Sequence, residues 1–186
     1  PLRPDRLLKE LPGFSFLVVV INSGFDITLR DWRRVVRRAE CPIWFDFHSL
    51  ALTLEMHEAR RYRPLPEWRD WAEGTAYLQA NLKEVSSMLG EPEKISSHDR
   101  LVRYGEQAFE TGVQAVFITL GAEGVLVLSP GRVTRVASAV ATSIVDTTGC
   151  GDIFCAGAAA CLASGADPVE AAVFGSELAS EAAGVS

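Results

Sequence analysis

Residues 146–154 read Asp-Thr-Thr-Gly-Cys-Gly-Asp-Ile-Phe, and this stretch joins a short apolar strand to a long apolar helix. Its two glycines bracket one residue, and glycine lets the main chain form tight turns and approach a ligand closely. The start of the following helix adds a partial positive charge, so backbone N–H groups can converge there on an anion. Asp152 lies at this helix start, where its carboxylate could take a proton from a substrate hydroxyl. From spacing alone, a tight turn followed by an acidic first helical turn is the simpler explanation.

Upstream of this loop, apolar runs of strand length alternate with segments of helical period. The predicted strands are 16–21, 42–47, 76–81 and 115–120, and we expect the first to be buried on both faces. Such alternation is typical of βαβ units around a mostly parallel sheet. Residues 125–128 and 133–140 bracket a Ser-Pro-Gly-Arg turn, which predicts a hairpin and hence an antiparallel edge.

Helical segments fill the connections between these strands. The sequence predicts helices over 28–39, from 82 to 89, from 96 or 97 to 110, and over 153–163, with a last helix that begins at Asp167-Pro168. Residues 57–71 are the least regular stretch. They predict a surface loop that leads into a short helix capped near Pro66.

Length and charge narrow the class of protein. A chain of 186 residues predicts one domain, 1–186, and 18 Lys+Arg against 24 Asp+Glu give a net charge of -6. That balance argues against nucleic acid as a partner. No apolar run approaches the ~20 residues that cross a bilayer, so no membrane association is expected. The four cysteines lack paired spacing and no signal peptide is evident, which favours a cytoplasmic location.

The stretch 146–154 resembles the C-terminal signature of the PfkB (ribokinase-like) carbohydrate kinases. Two further segments are similar to the family in the right order, Asn-Leu-Lys-Glu at 81–84 and Thr-Leu-Gly-Ala-Glu-Gly at 119–124, followed by Ala-rich closing helices. The likeness extends from about Phe16 to the end of the chain. It implies a three-layer α/β/α sandwich with a mostly parallel, Rossmann-like sheet, and ATP-dependent phosphorylation of a sugar or related small alcohol.

The resemblance assigns roles around the glycine loop. It implies that Asp152 is the catalytic base and that Gly149, Cys150 and Gly151 form an anion hole for the transferred phosphoryl group. Aligned donors, a metal and one base are a sufficient set, because phosphoryl transfer needs little covalent help from the protein. Cys150 stands where the family usually has Ala, and a hole built from backbone N–H groups should tolerate the thiol.

Two residues match the family's Asn-x-x-Glu element, which acts near Mg²⁺ and the phosphates. They are Asn81 and Glu84, expected to hold Mg²⁺ through water. Without the family, their i, i+3 spacing at a helix start indicates a helix cap equally well. The resemblance also places K⁺ near Asp146, a position that helps hold a monovalent cation in several family members.

The turn after the fourth predicted strand matches the family's nucleotide-contacting turn. Its matching residues are Thr119, Gly121 and Gly124, where glycines would allow the backbone to approach ATP. Taken alone, they are turn glycines after a strand.

Asp46 and His48 lie at the end of the second predicted strand and share one face of it. They could supply two metal ligands, although no third ligand is evident in the sequence. In the family this strand end lies near the substrate cleft, which makes both residues candidates for substrate-side contacts.

The resemblance leaves the substrate open between a sugar and a nucleoside. Family members carry a longer N-terminal substrate and lid part, so we expect the chain to lack that part and the extreme C-terminus of the family. A nucleoside kinase of the same fold and a noncatalytic nucleotide- or metabolite-binding relative are the alternatives. The expected partner is a small molecule, and a homodimer is the expected assembly if the chain associates.

Overall fold

The computed structural model describes residues 4–22, 27–53, 61–91, 97–138 and 149–184. The strands are β1 (Leu17–Val20), β2 (Ile43–Asp46), β3 (Tyr77–Asn81), β4 (Ala115–Thr119), β5 (Val125–Ser129) and β6 (Arg132–Val136). The helices are α1 (Pro4–Glu10), α2 (Leu29–Arg38), α3 (Trp68–Ala72), α4 (Leu82–Met88), α5 (His98–Phe109), α6 (Cys150–Ala163) and α7 (Pro168–Gly184). Short 3₁₀ helices cover His48–Ala51 and Gly121–Glu123.

The six strands form one sheet whose spatial order follows the chain order. Strands β1 to β4 are parallel, whereas β5 and β6 add an antiparallel hairpin at one edge. Crossovers between parallel strands keep one hand, so an advance in a single direction puts the connecting helices on the same face. The predicted α/β class with a mostly parallel sheet and an antiparallel edge is therefore confirmed.

Two hydrophobic cores lie on opposite faces of the sheet and make the molecule three-layered. One core contains Trp32 of α2 and Trp68 of α3 together with Leu101 and Tyr104 of α5. The other is formed with α6 and α7, where the rings of Trp44 and Phe117 stack with centroids 4.6 Å apart. Alternate residues of β2 thus face different cores, which explains why this predicted strand is apolar on both faces.

Small residues let α6 and α7 cross closely. A Cβ on Gly157 would lie 2.7 Å from Leu178 Cδ1, and one on Gly175 would lie 2.8 Å from the carbonyl oxygen of Phe154. Helix α7 begins as predicted, because Asp167 Oδ1 accepts from the backbone N–H groups of Val169 (2.7 Å) and Glu170 (3.0 Å). The described residues contain no helix long and apolar enough to cross a membrane.

The expectation that the first strand is buried on both faces is wrong. Strand β1 has no fully buried residue, and Val18 is 42% exposed. The reason is its place at the edge of the described sheet, where it pairs only with β2. An apolar run indicates that a strand prefers to be buried. Whether it is buried depends on which strands and helices pack beside it, and hence on the strand order.

The surface position expected for residues 57–71, a loop that leads into a short helix, also needs correction. Residues 54–60 lie outside the described part, but Leu65, Trp68 and Trp71 are buried in the core. The predicted short helix begins at Trp68, and its N-cap is Glu67, the residue after Pro66. Arg63 secures this segment by donating to the carbonyl oxygens of Leu50 and Leu52, at 3.1 and 3.3 Å.

Candidate active site

The predicted site residues meet at the carboxyl ends of the parallel strands, the usual ligand edge of such a sheet. Asp46 ends β2, Asn81 ends β3 and Thr119 ends β4. Asp46 is in register with Gln79, and Asn81 with Thr119. Residues from three segments of the sequence therefore form one row along this edge.

The predicted anion-binding residues lie at the start of α6. Gly149 takes a left-handed conformation with φ of 79°, which glycine adopts without strain, and the helix begins at Cys150. This start is earlier than the predicted one at Ile153, so Cys150 and Gly151 belong to the first turn. First-turn N–H groups have no partner within a helix, and the N-cap glycine has no side chain to cover them. Asp152 lies in the same turn and is exposed.

Gln79 ties the sheet edge to this helix start. Its side-chain Nε2 donates to Asp46 Oδ2 at 3.0 Å and to the carbonyl oxygen of Gly151 at 3.2 Å. The backbone N–H of His48 donates to the other carboxylate oxygen of Asp46 at 3.0 Å. Ligand atoms of Asp46, His48 and Asp152 all lie within 4.8 Å of one another. Asp152 is the third potential ligand. The sequence around Asp46 does not indicate it, because Asp152 lies far away in the chain.

Asn81 and Glu84 form a capping box at the start of α4. Asn81 Oδ1 accepts from the N–H groups of Lys83 and Glu84, and Glu84 Oε2 accepts from the Asn81 N–H at 2.7 Å. Asn81 Nδ2 also donates to Glu84 Oε1 at 2.7 Å and to the Tyr62 hydroxyl at 3.4 Å. Asn81 and Glu84 thus form the helix cap that their spacing indicated. The same hydrogen bonds hold both side chains at the sheet edge.

The site contains two buried carboxyl groups, those of Asp46 and Glu84, whose pKa values are raised. Burial, with a smaller contribution from the charge of Asp152, raises the pKa of Asp46 to about 7. Burial and the charge of Asp46 raise the pKa of Glu84 to about 8. Within the described residues neither carboxylate forms an ion pair with Lys or Arg, and Lys83 Nζ instead lies over the Tyr62 ring. A cation would stabilise the ionised form of both groups.

The turn after β4 is tight and glycine-dependent. Gly121 and Gly124 have φ of 67° and 93°, and the Gly124 N–H donates to the carbonyl oxygen of Gly121 at 3.0 Å. A Cβ on Gly124 would collide with the Val136 carbonyl oxygen and lie 2.8 Å from the carbonyl carbon of Ala137. Close backbone approach at the end of β6 therefore requires glycine here.

A cleft of about 390 Å³ adjoins this turn between β6 and α7. Its walls include Val136, Ala137, Val173 and Ser176. Ser176 Oγ is buried and has no hydrogen-bond partner among the described residues. Further along α7, the Ala179 carbonyl oxygen accepts from Cys150 Sγ at 3.6 Å, so the cleft and the start of α6 share one helix.

One predicted site residue lies outside the described part of the chain, and two residues of the site were not predicted from the sequence. Asp146 is outside the described part, so its proposed cation contact stays a prediction. Gln79 and Tyr62 were not predicted, although a glutamine in an otherwise apolar strand was a usable signal. Asp46 and His48 were expected on the substrate side, and they lie beside Asp152.

The fold is that of known kinases. Arabidopsis thaliana ribokinase, solved with ribose and ATP, superposes with a TM-score of 0.75 at 21% identity, over 97% of this chain and 53% of that one. Phosphofructokinase-2 from Escherichia coli, solved in complex with potassium, gives 0.77 at 16% identity, over 98% and 56%. The chain thus spans about half the length of the solved structures it matches. These likenesses show that the chain has a ribokinase-like α/β fold.

Sequence comparison places the chain within that class. The model of the pfkB family carbohydrate kinases matches residues 59–186, more than half of the chain. The bifunctional protein HldE of Alkalilimnicola ehrlichii is 33% identical over 90 residues, which cover 47% of this chain and 18% of that protein. The chain belongs to the pfkB family of carbohydrate kinases.

Proposed function

We propose that the protein is an ATP-dependent phosphotransferase that phosphorylates a hydroxyl of a sugar or related small alcohol. The observation that carries this proposal is the exposed carboxylate of Asp152 in the first turn of α6, directly after the left-handed Gly149. A base and a set of anion-binding N–H groups are thereby held within one helical turn. Family membership and the likeness to kinases of this fold support it further.

In the proposed reaction, Asp152 accepts the proton of the substrate hydroxyl while that oxygen attacks the γ-phosphorus of ATP. The bond from the γ-phosphorus to the β,γ-bridging oxygen breaks, and ADP leaves with that oxygen. Charge on the transferred group is stabilised by N–H groups of Gly149, Cys150 and Gly151 and by the helix dipole. These donors are fixed before the reaction, so little reorganisation is needed when the charge develops.

The nucleotide is proposed to bind along the turn after β4 and the cleft between β6 and α7. The turn that contains Thr119, Gly121 and Gly124 would carry the phosphate-side contacts, because Gly121 faces open space and the packing of Gly124 against the end of β6 holds the turn in place. The cleft offers apolar walls and the unpartnered hydroxyl of Ser176, a combination that suits a purine base. Helix α7 connects the cleft to the start of α6, so one extended ligand could reach both.

The residues at the sheet edge fit a hydrated Mg²⁺ ion. Glu84 is a 5% exposed carboxylate without an ion-pair partner in the described part of the chain, and oxygen ligands suit this ion. Glu84 and Asn81 would hold its water shell. When bound, Mg²⁺ neutralises the phosphate charge. The potassium complex of phosphofructokinase-2 supports testing K⁺ as a second cation, with Asp146 as its predicted contact.

A sugar is the preferred substrate class, with Asp46 and His48 on its side of the site. Both residues lie beside Asp152, where carboxylate and imidazole groups can bind hydroxyls. Ribokinase was solved with ribose and ATP, which supports a sugar in this position. Because the reaction consumes ATP, we place it in the cytoplasm.

The proposal is tested by measuring ADP release with Mg·ATP over a panel of sugars, sugar phosphates and nucleosides. We expect release that depends on a sugar and on Mg²⁺. Release that depends only on a nucleoside would support a nucleoside kinase instead. ATP binding without turnover on any compound, in the protein at its natural full length, would favour a noncatalytic nucleotide-binding relative.

A further inference from the structure

Asp46, His48 and Asp152 form a group of potential metal ligands within the described residues. Each offers one ligand atom, and the three atoms lie within 4.8 Å of one another. The group combines two carboxylates with an imidazole, whereas Glu84 and Asn81 offer only oxygen ligands together with an amide nitrogen that already donates. The imidazole distinguishes this cluster chemically from a site for hydrated Mg²⁺.

The fold brings these ligands together from two directions. Asp46 ends β2, and His48 follows it at the start of a 3₁₀ helix with φ of 33°. That left-handed backbone accompanies the bond from the His48 N–H to Asp46 Oδ1, which keeps the two residues in one turn. Asp152 approaches from the first turn of α6, and Gln79 fixes Asp46 through its other oxygen. An outer hydrogen bond of this kind is what orients a metal-binding carboxylate.

A bound cation would stabilise the two carboxylates of the cluster. Asp46 is only 3% exposed, and the described residues provide no Lys or Arg that forms an ion pair with it or with Asp152. A buried carboxylate that faces a second carboxylate is costly unless a proton or a metal ion compensates it.

We propose that Asp46, His48 and Asp152 bind a divalent transition-metal ion such as Zn²⁺ or Co²⁺, with water in the remaining positions. Ligand atoms at ~2.1 Å from a tetrahedral ion are ~3.4 Å apart, so the cluster must contract by about 1.4 Å at its widest. Asp152 is exposed and can rotate to supply that movement. Imidazole nitrogen with carboxylate oxygen is a donor set that such ions prefer over Mg²⁺.

Metal binding at this cluster is independent of whether the protein is a kinase. Its consequence for activity rests on the proposed function, because a carboxylate that ligates the ion cannot also accept a proton from the substrate. Bound Zn²⁺ or Co²⁺ would then inhibit phosphoryl transfer even with Mg·ATP in excess. The cluster would thus act as an inhibitory metal site that overlaps the catalytic base.

The test is a titration of the metal-free protein with Co²⁺, followed by its visible absorption bands and by calorimetry, without nucleotide. We expect one site whose affinity falls at least about tenfold in His48→Asn and in Asp152→Asn. Asparagine tolerates a left-handed backbone, so His48→Asn removes the imidazole with little strain. Thermal melts of both variants check that the fold is retained.

Two control variants separate this site from other ligands. His98→Asn removes an exposed histidine at the start of α5, and Cys150→Ser removes the thiol nearest the cluster in sequence. Both should keep wild-type Co²⁺ affinity, and the spectrum should lack the strong near-ultraviolet band of a cobalt–thiolate bond. Affinity unchanged in His48→Asn and Asp152→Asn, affinity lost in Cys150→Ser, or no Co²⁺ binding at all would overturn the proposal. Loss of kinase activity would not bear on it, because the titration contains no substrate.

Discussion

The side chain of Gln79 donates to Asp46 Oδ2 across two neighbouring strands, at a distance of 3.0 Å, and both residues are buried. The same amide nitrogen reaches the carbonyl oxygen of Gly151, so one group joins β2, β3 and the first turn of α6. Hydrogen bonds to buried charged or polar groups are costly to lose. Gln79 therefore fixes the distance between the sheet edge and the helix that carries Asp152.

Replacing Gln79 with methionine should destabilise the protein. Met fills a similar volume but donates no hydrogen bond, so we expect a loss of about 1–3 kcal/mol in the free energy of unfolding. Urea denaturation measures it. The matched control is Gln114→Met at an exposed position, which should stay within about 0.5 kcal/mol of wild type. Equal stability of the two variants would show that the Gln79 amide does not hold the site together.

Alanine variants of Gly124, in the turn after β4, and of Gly131, in the turn between β5 and β6, form a matched pair that tests the role of the first turn. Both have positive φ, 93° and 72°, but a Cβ on Gly131 would meet open space while one on Gly124 would meet the Val136 carbonyl. Gly124→Ala should therefore cost an additional ~1–3 kcal/mol over Gly131→Ala in thermal or urea unfolding. It should also raise the KM for ATP. A KM for ATP equal in both variants would argue that this turn does not contact the nucleotide.

Glu84 can be tested apart from its role as a helix cap. Glutamine keeps the capping-box bond from the Asn81 N–H and loses only the bond from Asn81 Nδ2. Glu84→Gln should therefore lose no more than about 0.5–1.5 kcal/mol of stability but raise the Mg²⁺ concentration for half-maximal activity. The control is Glu170→Gln, which makes the same change in the capping box of α7, where Glu170 Oε2 accepts from the Asp167 N–H at 3.0 Å. If both variants show the wild-type Mg²⁺ dependence, Glu84 serves only as a cap.

The raised pKa values of Asp46 and Glu84 predict that stability falls as pH rises. Their ordinary values are 3.8 and 4.5, and in the fold they are about 7 and about 8. The native state therefore binds more protons than the unfolded chain in this window. The resulting stabilisation is complete below about pH 4 and is lost as pH passes through the folded-state values.

This dependence is checked with the double variant Asp46→Asn, Glu84→Gln. Its free energy of unfolding, measured from pH 4 to 9, should vary less with pH than that of wild type, with the difference concentrated between pH 5 and 8. The exposed control Glu106→Gln should keep the wild-type slope. Parallel profiles for wild type and the double variant would contradict the assignment of buried protons to these two carboxylates.

Much of the fold could be predicted because it follows from local patterns. The apolar runs of β2 to β4 predict buried strands, and the Pro-Gly turn between β5 and β6 predicts a hairpin. The burial of β1 could not be predicted, since it depends on which strands lie beside it. The short helix that contains Trp68 and Trp71 was predicted, but its burial was not, because the surrounding Pro and Arg residues are typical of an exposed segment.

The site was predictable where a motif is contiguous and missed where it is not. Asn81 with Glu84, and Gly149 with Asp152, are neighbours in the chain, so their spacing alone indicates one location each. The proximity of His48 to Asp152 depends on the parallel order of the sheet and on the placement of α6. Pairings of this kind become visible only when the strands are assembled.

The most direct test of the central claim is the kinetic effect of Asp152→Asn. The variant removes the proposed base but keeps the size and polarity of the side chain, and calorimetry should show nearly unchanged ATP affinity. As a control, Asp99→Asn changes an exposed acid in the first turn of α5 and should retain wild-type activity. For the protein at its natural full length, we predict that Asp152→Asn lowers kcat by ~10²–10⁴-fold in sugar-dependent ADP release. A variant with wild-type kcat would contradict the assignment of Asp152 as the general base.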